Sequence, residues 1–276
     1  MKVLVIGGGN MGLTYAEAIA KSNFLNNGDL MIFDKSETKL DELRERKLFD
    51  VYDRLGDCLP QADVVFLAVK PVHSAELMQQ MNPLVSNEQL FISIMAGVTI
   101  EAMKNGLGIT KVVRAMPNLP ALVGLGMTSF TAAAEVSRLE LATVENLLDT
   151  TGRSIGMESE QQIDASTGIS GSGPAYVFYF MESMMEAALK MGFSTKDARL
   201  LVSQTFLGAI ELFNSSDLNP DEWMRKVASK GGTTQAALES MEENHVKERI
   251  KDAAYAAFKR AAELGKEFAA SSTAIG

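Results

Sequence analysis

The sequence predicts an α/β protein, with an N-terminal Rossmann-type doubly wound sheet followed by an all-α C-terminal domain. Three observations carry this. A short aliphatic run, Lys2 to Ile6, leads straight into Gly7-Gly8-Gly9-Asn10-Met11-Gly12, and a helix-compatible stretch follows from Leu13 to Lys21. Apolar runs of strand length then recur to about residue 130, separated by helical stretches. Beyond Gly156 the strand signals stop and only helical patterns remain.

The order strand, glycine turn, helix is what a dinucleotide pyrophosphate requires. Gly7 permits the tight turn, Gly9 lets backbone approach the phosphates, and Gly12 lets helix and strand pack closely. The first amides of the helix lack partners and carry partial positive charge, so they attract an anion. The motif alone is weak evidence, and its position directly after an N-terminal strand strengthens it.

Leu30–Phe33, Asp63–Val69, Leu90–Ile94, Lys111–Arg114 and Met127–Phe130 read as further strands. Near-continuous aliphatic strands separated by helices indicate a parallel sheet covered on both faces. Glu37–Arg46 and Ala75–Met81 supply polar crossover helices. Turn-forming clusters close these runs: Asp34-Lys35-Ser36, Ala68-Val69-Lys70-Pro71, Ala96-Gly97 and Met116-Pro117-Asn118. A sheet of this class binds its ligand at the carboxyl ends of its strands, where these clusters fall.

In the second half, Asp164–Met191, Thr195–Phe213, Thr233–Glu243 and Val246–Phe268 read as helices. The change in pattern places a boundary near Glu158, giving domains 1–158 and 159–276. The stretch from Pro174 to Leu189 is apolar almost all round, and such a helix must be covered on every face. About a hundred residues of helix cannot surround it easily, so a second subunit is expected to cover it.

Composition excludes several classes. Apolar residues make up 46% and charged residues 22% of 276, which suits a globular protein with a substantial core. With 26 basic against 35 acidic residues the net charge is −9, the opposite of a nucleic-acid-binding face. Cys58 is the single cysteine, so no internal disulfide forms and a reducing, cytoplasmic setting is expected. Only His73 and His245 accompany it, too few for a zinc-type cluster. The most apolar helix is interrupted by Glu182, Glu186 and Lys190 and makes a poor membrane span.

Two glycine-rich turns open helices in the second half. In Gly168-Ile169-Ser170-Gly171-Ser172-Gly173-Pro174, Ser172 suits an N-cap and Pro174 a first helical turn. The glycines suggest close approach of backbone to a ligand or another chain. In Ser229-Lys230-Gly231-Gly232-Thr233-Thr234, consecutive glycines and two threonines form a cluster of amides and hydroxyls suited to a carboxylate. A flexible turn with a threonine cap is the structural alternative.

These segments, with Ala96-Gly97-Val98-Thr99 and Arg114-Ala115-Met116-Pro117-Asn118, make the chain resemble pyrroline-5-carboxylate reductase over nearly its whole length. The resemblance implies NAD(P)H-dependent reduction of 1-pyrroline-5-carboxylate to L-proline, the last step of proline biosynthesis. It implies a helical dimerisation domain, a homodimer, and often a ring of dimers. It also implies roles, with Gly9, Asn10 and Met11 at the pyrophosphate; the turn motif itself adds Gly7 and Gly12, and the end of the second strand offers Asp34, Lys35 and Ser36 to the adenosine ribose. Ala68, Val69, Lys70, Pro71, Ala96 and Asn118 would line the path to the nicotinamide. Ser229, Gly231, Gly232, Thr233 and Thr234 would receive the substrate, Thr234 bonding the ring nitrogen. Neither loop holds a histidine, cysteine or carboxylate, so Thr234 is an orienting donor, and the iminium proton comes with the substrate or through water.

Two positions depart from the family pattern. Lys230 stands where the family commonly has proline, and either assists the carboxylate or is a solvated surface lysine. Asp34 stands where relatives using NADP usually place an uncharged residue; a carboxylate there favours a free 2′-hydroxyl. Lys35 and Ser36 follow and could hold a 2′-phosphate, so NADP, to which the family leans, and NAD both remain open. Two rivals are a β-hydroxyacid dehydrogenase and a non-catalytic nucleotide sensor. The former would place a lysine and an asparagine where this chain has Val177 and Met181.

Overall fold

The computed structural model describes residues 1–273 apart from Asn23 and Asn27, and the side chains of residues 266–273 are not described. Residues 274–276, the end of the predicted second domain, lie outside the described residues. The chain divides into two compact units: residues 1–172 with the segment from Ala256 onward, and residues Gly173–Tyr255.

The first unit is built on one sheet. Its strands are β1 (Val3–Ile6), β2 (Leu30–Phe33), β3 (Asp50–Tyr52), β4 (Val64–Leu67), β5 (Leu90–Ser93), β6 (Val112–Met116), β7 (Gly126–Ala132) and β8 (Gly152–Gly156). They lie in the order β3-β2-β1-β4-β5-β6-β7-β8. Between β1 and β4 the sequence order reverses, and this is where such sheets open a crevice for ligand. The helices between strands are α1 (Asn10–Lys21), α2 (Glu37–Arg46), α3 (Leu55–Cys58), α4 (Ser74–Met81), α5 (Ile100–Leu107) and α6 (Arg138–Asp149).

Alternation explains the fully aliphatic strands. Leu4, Ile6, Met31, Val65, Leu67 and Phe91 face one core, while Val3, Val5, Ile32, Val64, Phe66 and Ile92 face the other. Side chains alternate across a strand, so two buried faces demand an unbroken apolar run. On the second face Tyr15 of α1 lies against Phe66 with ring centroids 5.3 Å apart, and its hydroxyl meets Thr128 at 2.9 Å.

The sheet departs from the expected all-parallel arrangement at one pair. β6 and β7 are antiparallel, and β8 then pairs parallel with β7. The link from β6 to β7 holds only a short 3-10 segment, Leu119–Val123, too little chain for the crossover that a parallel pair needs.

Sequence pattern places the boundary at Glu158, whereas the compact first unit continues through α7 (Glu160–Ser166) and a π-turn at Thr167–Gly171. Ile163 is buried and Arg114 of β6 reaches Glu160 and Asp164, which ties this stretch to the sheet. The helix expected from Asp164 to Met191 is therefore divided. Ser172 is not an N-cap: its φ and ψ are helical and its amide donates to Thr167 O at 2.8 Å.

The second unit holds α8 (Gly173–Lys190), α9 (Thr195–Asn214), α10 (Pro220–Val227) and α11 (Thr233–Glu243). The last helix, α12 (Val246–Thr273), contributes Val246–Tyr255 to this unit and its remainder to the first. Side chains cap α9 (Ser194) and α10 (Asn219, with Glu222 completing a capping box). No residue of α8 is buried within the chain, and Val177, Phe178 and Tyr179 are exposed.

Candidate nucleotide and substrate sites

The glycine turn sits at the reversal point. The amide of Gly7 donates to Phe33 O of β2 at 2.8 Å, and Ala68 donates to Ile6 O at 2.9 Å, so the ends of β1, β2 and β4 lie side by side. Gly7 adopts φ +104°, and a Cβ there would stand 2.9 Å from Ala68 O. At Gly12 a Cβ would stand 2.0 Å from Gly7 O and 2.9 Å from Ala68 Cβ, so only glycine lets α1 close on the strand. Gly9 differs, because no atom lies within 4 Å of where its Cβ would be. Gly9 is the N-cap of α1 with no side chain to bond the first amides, so the helix start faces open space.

That arrangement fits a dinucleotide pyrophosphate: two glycines are forced by packing and the third leaves room for a ligand. A cavity of about 260 Å³ adjoins it, lined by Gly7, Gly9, Asp34, Lys35, Lys70 and His73 among others. Ala68 and Val69 also line it. Asn10 and Met11 begin α1 beside Gly9, and Ser36 stands at the N-cap position of α2 without a side-chain capping bond. Pro71 begins the short 3-10 turn Pro71–His73 after β4. Ala96 is exposed, three residues beyond the buried end of β5 at Ser93 and one past Met95. His73, Glu76, Leu77 and Gln80 also line this cavity and were not among the expected site residues. Their spacing is that of one helix face, which is the signal that could have found them.

Asp34 is fixed rather than free. Its Oδ2 accepts from the Gly8 amide at 2.8 Å and its Oδ1 from the Ser36 amide at 2.9 Å. Lys35 pairs with Glu76 at 3.8 Å, both side chains being well exposed.

Asn118 turns its amide inward to the scaffold. Its Nδ2 donates to Ser170 O at 3.0 Å and its Oδ1 accepts from the Met127 amide at 2.8 Å. The residue therefore fastens the π-turn Thr167–Gly171 to the start of β7. The Ser129 and Ser166 hydroxyls join β7 to the end of α7, just before that turn. Arg114, only 4% exposed, binds Glu160 at 3.1 Å and Asp164 at 2.6 Å. A π-turn held this firmly costs helix regularity and is a feature that recurs at functional sites.

In the second unit, Ser229-Lys230-Gly231-Gly232 forms the turn before α11. Gly231 takes φ +73°, a conformation that favours glycine. The expected row of glycine amides is not available as such. Gly231 donates to Gln235 Oε1 at 2.7 Å and Gly232 to Ser229 O at 3.0 Å. Gly232 is the N-cap of α11 without a side-chain bond, so the amides and hydroxyls of Thr233 and Thr234 are the donors left at this helix start. The turn is packed within itself: a Cβ on Gly232 would lie 2.5 Å from Ser229 Oγ. Lys230 is exposed and has no ion-pair partner among the described residues.

Elsewhere, Cys58 is buried and its thiol is pushed up to about 11 by burial, which leaves it chemically quiet. Among the described residues no cluster of three potential metal ligands occurs, and no helix is long and apolar enough to cross a membrane.

A glycine cradle at the reversal of a doubly wound sheet defines a protein of the dinucleotide-binding class. Over 267 residues the chain is 34% identical to the pyrroline-5-carboxylate reductase of Pseudomonas aeruginosa, covering 96% of this chain and 97% of that protein. The chain belongs to the pyrroline-5-carboxylate reductase family. Residues 160–264 match the family described as pyrroline-5-carboxylate reductase dimerisation. Residues 2–97 match the family described as NADP oxidoreductase, coenzyme F420-dependent. The solved pyrroline-5-carboxylate reductase of Coxiella burnetii superposes with a TM-score of 0.89 at 32% identity, covering 95% of this chain and 98% of that one. The Plasmodium falciparum enzyme, solved with NADP bound, gives 0.85 at 28% identity, covering 96% and 98%.

Proposed function

We propose that this chain reduces 1-pyrroline-5-carboxylate to L-proline, the closing step of proline biosynthesis, using NADPH with NADH as a possible alternative. The observation that carries this reading is full-length membership of the family together with a glycine cradle whose only unfilled Cβ position, among Gly7, Gly9 and Gly12, lies at the helix start. When bound, the reduced nicotinamide supplies the hydride. Gly7, Gly9, Asn10, Met11 and Gly12 would hold the pyrophosphate, and Asp34, Lys35 and Ser36 the adenosine ribose. Ala68, Val69, Lys70, Pro71 and Ala96 would border the remaining length, with Asn118 supporting it from behind.

The substrate carboxylate would rest on the Thr233 and Thr234 amides and hydroxyls, with Ser229, Gly231 and Gly232 shaping the turn. Attack on a neutral imine would leave a nitrogen anion, so the ring nitrogen must carry a proton by the time the new C–H bond forms. Neither turn offers a group acidic enough to supply it. Thr234 would therefore orient the protonated nitrogen, and catalysis would come mainly from placement.

We further infer a homodimer, formed through residues 159–276, with residues 1–158 as the nucleotide-binding domain. Support comes from the matched dimerisation family and from α8, an apolar helix with no buried residue in its own chain. Association into a ring of dimers and a cytoplasmic setting follow from the same reading. The β-hydroxyacid dehydrogenase alternative is not favoured: Val177 and Met181 cannot serve as base or amide donor. The test is to follow NADPH and NADH oxidation with pyrroline-5-carboxylate, beside reduction of a 2- and 3-oxo acid panel. Turnover confined to the cyclic imine supports the reading; turnover confined to the oxo acids contradicts it.

A further inference from the structure

The turn that follows β5, Ile94 to Val98, has two unlike sides. Ala96 is exposed at the carboxyl edge of the sheet, whereas Gly97 and Val98 beside it are buried. Gly97 takes φ +76°, and a Cβ on it would stand 3.5 Å from Gly265 N and 3.6 Å from Leu264 O of α12. In return, a Cβ on Gly265 would lie 3.8 Å from Gly97 O. The backbone of the helix thus lies directly against the backbone of the turn. Ala257, Ala261 and Gly265 recur every fourth residue along α12 and are half-buried, which keeps that face of the helix narrow.

β5 lies beyond β4, on the side of the sheet away from β2, so its carboxyl end falls opposite the adenosine side of the reversal point. A nucleotide whose pyrophosphate rests on the glycine turn after β1 would extend its nicotinamide toward Ala96. We propose that the end of α12 braces this turn, and that Gly265 is a positioning residue for the nicotinamide end of the nucleotide. The inference rests on the nucleotide-site reading. Bulk at Gly265 would push Gly97, and Ala96 with it, into the space the ring needs. A methyl at 3.8 Å is in ordinary contact, so Gly265→Ala should behave as the parent. Valine carries two methyls on its Cβ and cannot turn both away.

The experiment titrates NADPH and 2′-phospho-ADP-ribose, which lacks the nicotinamide, into the parent, Gly265→Ala and Gly265→Val. Reduction of pyrroline-5-carboxylate is followed in the same three proteins. In Gly265→Val the Kd for NADPH is expected to rise about 3- to 10-fold, the scale of one lost contact, with 2′-phospho-ADP-ribose bound as in the parent. The kcat should fall about 10- to 100-fold, because hydride transfer depends on placement to within an ångström. A purely structural role for α12 predicts the reverse: valine forms helix better than glycine, so melting would hold or improve with kcat unchanged. Parent values of kcat and of NADPH affinity in folded Gly265→Val overturn the proposal, and so does equal weakening of both ligands. If that variant does not fold, Gly265→Leu, with its branch one bond further out, is read in the same way. A parent chain that binds neither ligand overturns the nucleotide site itself, a distinct result that takes this inference with it.

Discussion

The side-chain amide of Asn118 bridges two segments far apart in sequence, giving one hydrogen bond to Ser170 O and taking another from the Met127 amide. The π-turn before α8 is thereby pinned to the carboxyl edge of the sheet. Asn118→Ala leaves a half-buried carbonyl and an amide without partners and should lower stability by about 1–3 kcal/mol. Thermal or urea unfolding of the variant measures this; a change below the error of the fit would remove Asn118 from the scaffold.

Gly9 and Gly12 make a matched pair. In Gly12→Ala the new methyl collides with the carbonyl of Gly7, so about 1–3 kcal/mol of stability should be lost along with nucleotide binding. Gly9→Ala meets nothing in the protein and should unfold like the parent, yet bind nucleotide poorly, because the phosphates need that space. Melting temperature and nucleotide titration on the same samples separate the two. Normal nucleotide affinity in Gly9→Ala would mean the pyrophosphate lies elsewhere.

Arg114 is the buried cation between Glu160 and Asp164. Arg114→Met removes the charge, keeps most of the volume, and strands two carboxylates. Breaking such a group from one side costs about 3–5 kcal/mol, less here to the extent that the acids reach solvent. Chemical denaturation of the variant gives the number, and full stability would show that the ion pairs are dispensable.

Cys58 gives the pH prediction. The folded thiol ionises near 11 against an ordinary value of 9.0, because burial disfavours the thiolate. The unfolded chain thus releases this proton first as pH rises. The contribution of Cys58 is fully present below pH 9 and declines as pH climbs toward 11. Iodoacetamide at pH 8 should therefore label the protein only after urea is added. Rapid labelling of the native protein would contradict this burial.

Thr234→Ala should lower kcat/KM for pyrroline-5-carboxylate by about 10- to 1,000-fold, the scale of a lost active-site hydrogen bond, while Thr234→Ser keeps most of it. Nucleotide affinity should not change in either. A kcat/KM near the parent value for the alanine variant would exclude Thr234 from the substrate site.

Much of this was legible in the sequence because its cause is local. The run from Lys2 to Gly12 specifies strand, turn and helix without reference to the rest of the chain, and the two-sided core follows from unbroken aliphatic strands. The missed elements lack such local marks. β3 spans three residues at the sheet edge and begins with the exposed Asp50; β8 is glycine-flanked and mostly outside the core. The apolar run of β7 marks a strand but carries no direction, so its antiparallel pairing emerges only from the short link before it.

The candidate site shows the same division. Residue types at the glycine turn reveal what space they leave, whereas hydrogen-bond partners are settled by tertiary contacts. Arg114 finds its acids in α7, and Asn118 is committed to Ser170 rather than to open space. Gly231, which composition offers as an anion donor, has its amide taken by Gln235 one turn along α11.

The most direct test is chemical: incubate the purified chain with pyrroline-5-carboxylate and a reduced nicotinamide nucleotide, and quantify L-proline against nucleotide consumed. One molecule of proline for each nucleotide oxidised is the predicted outcome. Nucleotide that binds but is never oxidised, with no proline formed, would contradict the account.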